Sequence, residues 1–192
     1  MLRSFIAIEI PTEIQQAIMR ETAGLRQALK RPLVRWVAME NIHLTLKFLG
    51  DVSPSNLENL AGYLTTELNK YSAFTITVGG IGAFPNQRRP RVIWIGLQAP
   101  NVLASIFQNI ESVAAQFGFA PETHPISPHL TIGRVNQHAS AVEIQKICAG
   151  LEHVKVGLLG NTIVNGIHIF RSDLQPTGAV YTNLHTIPFS AQ

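Results

Sequence analysis

HLTL at residues 43–46 and HLTI at 129–132 are one phrase written twice. In each copy a His and a Thr flank one aliphatic residue and a second aliphatic follows. Side chains alternate between the two faces of a strand. His43 and Thr45 therefore share a face, about 6.6 Å apart, with Leu44 and Leu46 on the other. The same holds for His129 and Thr131 over Leu130 and Ile132. The phrase predicts two strands, each with an apolar underside and an imidazole and a hydroxyl above.

Working outward, the flanks repeat as well. RSFIAIE at 3–9 alternates as a strand, extended to Ile10, and Pro11-Thr12 opens a helix to about Leu29 on Ile14, Ile18, Leu25 and Leu29. Pro32 ends it. The first His strand covers 42–49 and Gly50 closes it. Ser53-Pro54 starts a helix to about Asn69, with Ser as cap and Pro in the first turn. A strand at 74–82 follows. RVIWIGL at 91–97 then restarts the pattern. Pro100 plays the part of Pro11, before a helix at 101–117. The second His strand is 129–135, a helix covers about 140–150, and a strand at 162–170 answers 74–82. Pro11 and Pro100 are 89 residues apart and His43 and His129 are 86 apart. The fold class this predicts is α+β: a single bilobal domain over 1–192, built from duplicated β-α-β-α-β units at about 3–82 and 91–170. The units are related by a pseudo-twofold axis, with a central cleft and one His-Thr strand in each wall. A spare strand at 178–187 follows the turn Pro176-Thr177-Gly178.

Composition narrows the class. The chain has 192 residues, 46% hydrophobic and 14% charged, which is globular rather than disordered. A net charge of +3 permits a polyanionic ligand without demanding one. A single cysteine, Cys148, excludes an internal disulfide and a cysteine-based zinc site. No stretch approaches the ~20 apolar residues of a membrane span. The N-terminus lacks a signal-peptide pattern. The expectation is a cytoplasmic protein without a membrane partner, monomeric, with no metal and no cofactor.

Two imidazoles facing one ligand can serve as general base and general acid near neutral pH. Two threonine hydroxyls beside them can donate to an anionic group held between. A phosphodiester, with two non-bridging oxygens flanked by an attacking and a leaving oxygen, matches two His-Thr pairs. On this reasoning His43 and His129 are the catalytic candidates, and Thr45 and Thr131 the substrate-binding ones. Residue chemistry alone does not say which imidazole is the acid. Of the other five histidines, His124 and His138 sit in loop-like surroundings, and His168 and His185 read as packing or edge residues; His153 has no chemical role.

The stretches RSFIAIEIP (3–11), RWVAMENIHLTLKFLGDV (35–52), GIGAFPNQRRPRVIWIGL (80–97) and SPHLTIGRV (127–135) resemble the 2H phosphoesterases. More closely, they look like the bacterial and archaeal RNA 2′,3′-cyclic phosphodiesterase branch, historically called 2′-5′ RNA ligases. The resemblance implies a bilobal fold, metal-free opening of a 2′,3′-cyclic phosphate on RNA or a nucleotide to a 2′-phosphate, His43 as proton donor and His129 as acceptor. It also favours Arg134 as a phosphate ligand, although strand parity places Arg134 opposite His129. Two rivals are 2′-5′ ligation by the reverse chemistry and a non-catalytic RNA-end binding module. By parity Lys47 shares the face of His43, and Phe48 belongs to the core. Arg88, Arg89 and Arg91 form a basic loop. Trp36 could stack a base, and Trp94 reads as a packed residue.

Overall fold

The computed structural model describes residues 1–176 and 178–190. The strands are β1 (Leu2–Glu9), β2 (Val34–Trp36), β3 (His43–Val52), β4 (Phe74–Phe84), β5 (Val92–Gln98), β6 (His129–Val135), β7 (Leu158–Val164), β8 (Gly166–Gln175) and β9 (Gly178–Pro188). The helices are α1 (Thr12–Glu21), α2 (Ala23–Ala28), α3 (Pro54–Leu68), α4 (Val102–Gln116) and α5 (Ala141–His153). A single 3₁₀ turn, Met39–Asn41, leads into β3. The strands form two sheets, ordered β3-β1-β8-β9 and β2-β6-β5-β4-β7, and every paired strand runs antiparallel.

The duplication is visible in those orders: β3-β1-β8 in the first sheet corresponds to β6-β5-β4 in the second. The units are interleaved. β4, from the first half of the chain, pairs with β5 of the second half, and β8 returns to pair with β1. The helices cross over in the same way. α1 packs against β7 of the second sheet, while α4 packs on α3 and against β3 of the first. One continuous core runs beneath both sheets and takes in Leu44, Leu46, Leu130 and Ile132, the apolar undersides of the repeated phrase. β3 and β6 lie against each other where the sheets meet.

Local chemistry sets the ends. Ser53 caps α3 by accepting from the Asn56 amide. Ser140 and Glu143 form a reciprocal capping box at α5. The helix expected to run from 12 to 29 is broken at Thr22. The Thr22 hydroxyl donates to the Ile18 carbonyl and accepts from Arg26 Nε, and Gly24 follows. A β-branched residue that bonds back to the preceding turn weakens the helix there. The expected strand 162–170 is two strands cut at Asn165: the first half joins β4 and the second joins β1. Gly50 does not close β3. It takes φ +69° inside the strand, next to a register irregularity with β1, and pairing resumes to Val52. The last strand appears as expected; the turn before it includes Thr177, which lies outside the described residues.

Candidate active site

The repeated phrase keeps its alternation at first. Leu44 and Leu130 are buried beneath their sheets, and His43, Thr45, His129 and Thr131 are part-exposed on the opposite faces. Each imidazole is oriented alike. His43 Nδ1 lies 2.8 Å from the Asn41 carbonyl, and His129 Nδ1 lies 2.7 Å from the Ser127 carbonyl. A carbonyl can only accept, so both Nδ1 atoms carry hydrogen and donate. Both Nε2 atoms are left to accept a proton when neutral and to donate one when charged. Among the described residues neither threonine hydroxyl bonds a protein group. β3 and β6 adjoin, so the two motif strands lie side by side where the sheets meet.

After the threonine, each strand carries an irregularity that strand parity does not foresee. In β3 the register with β1 shifts between Ile6 and Ala7. One extra residue on a bulged strand exchanges the faces beyond it. Lys47 turns inward, 3% exposed, and Phe48 turns outward, 63% exposed. Both expectations for these residues are thereby reversed. Lys47 Nζ binds Glu111 of α4 at 2.8 Å and donates to the Ala120 carbonyl, so it adds no charge to the cleft. In β6 the shift lies between Ile93 and Trp94 of its partner, and Gly133 turns inward. A side chain at 133 would meet Trp36 at 2.8 Å and Val34 at 2.9 Å, so the position suits glycine. Arg134 is exposed, on the face of His129 and Thr131. The obstacle that parity raised against Arg134 is removed by the bulge.

The two walls differ around this shared geometry. His43 is stacked on Phe5 with centroids 4.8 Å apart and meets the edge of Tyr181 at 5.3 Å. Phe5, Ala7 and Phe170 form a small apolar cluster behind it. Desolvation there lowers the His43 pKa to about 4 against the hydrogen bond to Asn41, so the free ring is neutral at pH 7. Among the described residues the aromatic neighbour of His129 is Phe84, met edge-on at 4.8 Å. Trp94 pairs across from Thr131, packed over Gly82 and Phe84, and among the described residues its Nε1 has no partner. Trp36 stays under the sheet, bonded to the Leu29 carbonyl and covered by Arg26.

Several cleft residues escaped the sequence reading. His168, read as a packing or edge residue, also meets polar groups. Its Nε2 lies 3.6 Å from Glu9, and its Nδ1 lies within reach of Thr186 and Asn183. Burial lowers its pKa and Glu9 opposes that. Tyr181 comes from the spare strand β9. A cavity of about 700 Å³ opens beside His43, lined in part by Glu9, Glu40, Asn41, Tyr181 and Asn183. The alternation Arg3, Phe5, Ala7, Glu9 in β1 was the one readable sign that a second strand shares the face.

The chain belongs to the LigT-like phosphoesterase family, whose model matches residues 8–94 and again 95–181. It is 31% identical over 183 residues to the RNA 2′,3′-cyclic phosphodiesterase of Methanothermobacter thermautotrophicus, covering 95% of this chain and 96% of that protein. It is 34% identical over 180 residues to the protein of the same name from Methanocaldococcus jannaschii, with 94% and 96% covered. The crystal structure of Escherichia coli LigT complexed with 3′-AMP superposes with a TM-score of 0.76 at 26% identity, over 99% of both chains. The Thermus thermophilus protein TT0787 shares the fold, with a TM-score of 0.78, 24% identity and 97% of both chains covered. Among the described residues no helix is long and apolar enough to cross a membrane.

Proposed function

We propose that this protein hydrolyses 2′,3′-cyclic phosphate ends of RNA to 2′-phosphate ends, using His43 and His129 as acid and base. The observation that carries this is the matched pair of imidazoles, each tied at Nδ1 to a carbonyl two residues back and, among the described residues, without a partner at Nε2. The names borne by its relatives support the substrate class. Water attacks phosphorus from the His129 side, and His129 Nε2 takes its proton. The bond from phosphorus to the 3′ oxygen breaks, and His43 Nε2 gives that oxygen a proton. A 2′-phosphate and a 3′-hydroxyl result. Thr45, Thr131 and Arg134 hold the non-bridging oxygens, where charge accumulates in the transition state.

The cavity beside His43 suits the nucleoside, which is attached to the leaving oxygen. That favours His43 as the donor. Its low pKa means that the ring takes a proton from solvent as the substrate binds: a phosphodiester anion beside it stabilises the imidazolium. The test is an oligonucleotide ending in a 2′,3′-cyclic phosphate, incubated with the protein and EDTA. A 2′-phosphate end is expected. Undiminished binding without turnover would overturn the assignment in favour of an end-binding module.

A further inference from the structure

We propose that Arg35 and Arg3 form a second anion site beyond the reacting phosphate, which holds the next phosphate of an RNA chain and makes an oligonucleotide end, not a free nucleotide, the preferred substrate. The proposal rests on the cyclic-phosphate reading and deepens it.

The first observation is a like-charged pair. Arg35 of β2 stands directly across from Arg134 of β6, and both are exposed. Opposed residues of an antiparallel pair share a face, and like charges there are destabilising. Among the described residues neither guanidinium forms an ion pair with a carboxylate. A pair of unneutralised arginines held side by side at a cleft is suited to an anion that arrives from outside.

The second is the position of Arg3. β1 runs antiparallel to β3, with Glu9 opposite His43 and Arg3 opposite Asp51. Arg3 shares the parity of Phe5, whose ring touches Tyr181. It therefore stands on the cleft face, past the threonine end of the phrase, and makes no ion pair with Asp51. Burial raises the Tyr181 pKa, and the charges of Arg134, Arg3 and Arg35 oppose that rise, although Tyr181 and Arg3 belong to one sheet and the other two to the second.

The third is polarity along the cleft. The cavity at the His43 end is lined by Glu9 and Glu40 and by no Lys or Arg. The arginines occupy the opposite end. The loop bearing Arg88, Arg89 and Arg91 packs instead against α5 and Gln137 and takes no part in this end. Such a field admits a neutral nucleoside at one end and draws a polyanion towards the other. Arg35 lies one strand further out than Arg134, about 4.8 Å beyond it. The reacting phosphate thus takes Arg134, and the phosphate on the 5′ oxygen of the same nucleoside takes Arg35 with Arg3.

Arg35→Ala and Arg3→Ala test this against two substrates, a nucleoside 2′,3′-cyclic phosphate and a ten-nucleotide RNA with the same end. Each variant is expected to lose about tenfold in kcat/KM on the oligonucleotide and less than about twofold on the mononucleotide. The salt dependence of the oligonucleotide reaction should fall by about 0.7 per arginine removed, and Arg35→Lys should retain it. Melting temperature should hold or rise for Arg35→Ala as the repulsion goes; a structural role would lower it. Equal losses on both substrates, or none on the oligonucleotide, would overturn the proposal. Binding of an unreactive oligonucleotide with a 3′-hydroxyl end keeps the two readings apart. If the wild type turns over neither substrate yet Arg35→Ala weakens this binding, the hydrolytic reading fails and the anion site stands.

Discussion

As single residues the two histidines are chemically alike and environmentally unlike. Replacing either His43 or His129 by Ala should cut turnover by roughly 10²–10⁴, measured as release of 2′-phosphate ends, with little change in melting temperature at neutral pH. Thr45→Ala and Thr131→Ala should each raise the barrier by about 1–3 kcal/mol, read from kcat/KM on the same substrate. The aromatic setting of His43 also has a consequence for stability. Its folded pKa of about 4 lies below the ordinary 6.5. Between those pH values the unfolded chain binds a proton that the folded chain excludes. Stability is therefore full above pH 6.5, is lost as pH falls through this window, and levels below about 4. The total is about 3 kcal/mol. Denaturant titrations from pH 7 to 4 should show this loss in the wild type and a curve flatter by that amount in His43→Gln. These histidines were legible in the sequence because two copies of one phrase are self-evident. Tyr181 was not, because nothing local marks a tyrosine on a distant strand as a neighbour of His43, and neither was His168, which meets Glu9, the residue opposite His43.

At the level of single strands, the bulges after Thr45 and Thr131 decide what each wall presents. Strict alternation carried through HLTLKF and HLTIGR puts Lys47 in the cleft, Phe48 in the core and Arg134 on the wrong side. The irregular register reverses all three. The inward position then differs between the copies. It is a lysine neutralised by Glu111 in β3 and a glycine under Trp36 in β6. Lys47→Ala would leave the Glu111 carboxylate buried with the Glu122 amide as its remaining partner. A loss of roughly 3–5 kcal/mol is expected from chemical denaturation. Gly133→Val would press on Trp36 and Val34. It should cost about 1–3 kcal/mol and, by displacing Arg134, weaken substrate binding as well; a variant that lost stability with an unchanged KM would separate the two effects.

For the molecule as a whole, the interleaving of the halves is the dominant fact. Residues 1–84 alone would lack β8 and β9 from the first sheet and leave β4 without β5 or β7. A fragment of that length should show no cooperative thermal transition by circular dichroism, whereas the full chain should unfold in one step. A clean melt of the fragment would mean that each unit folds alone. The exchange also brings β3 and β6 together. Each motif strand is flanked by β1 or β5 of its own half, and the third place in its sheet is filled by the other half.

Two copies of a strand-and-helix unit can be read directly from the residues. So can the His and Thr on one face of each, above an apolar floor, and the fit of that paired chemistry to a phosphodiester. Those features are local: alternation, caps and a repeated spacing are written in neighbouring residues. It took the folded chain to settle that the units trade strands and that Arg134 is exposed on the same face as His129 and Thr131. Register, bulges and strand partners depend on backbone hydrogen bonds between residues far apart in the chain. HLTLKF and HLTIGR, read as phrases, contain no sign of where their ladders slip.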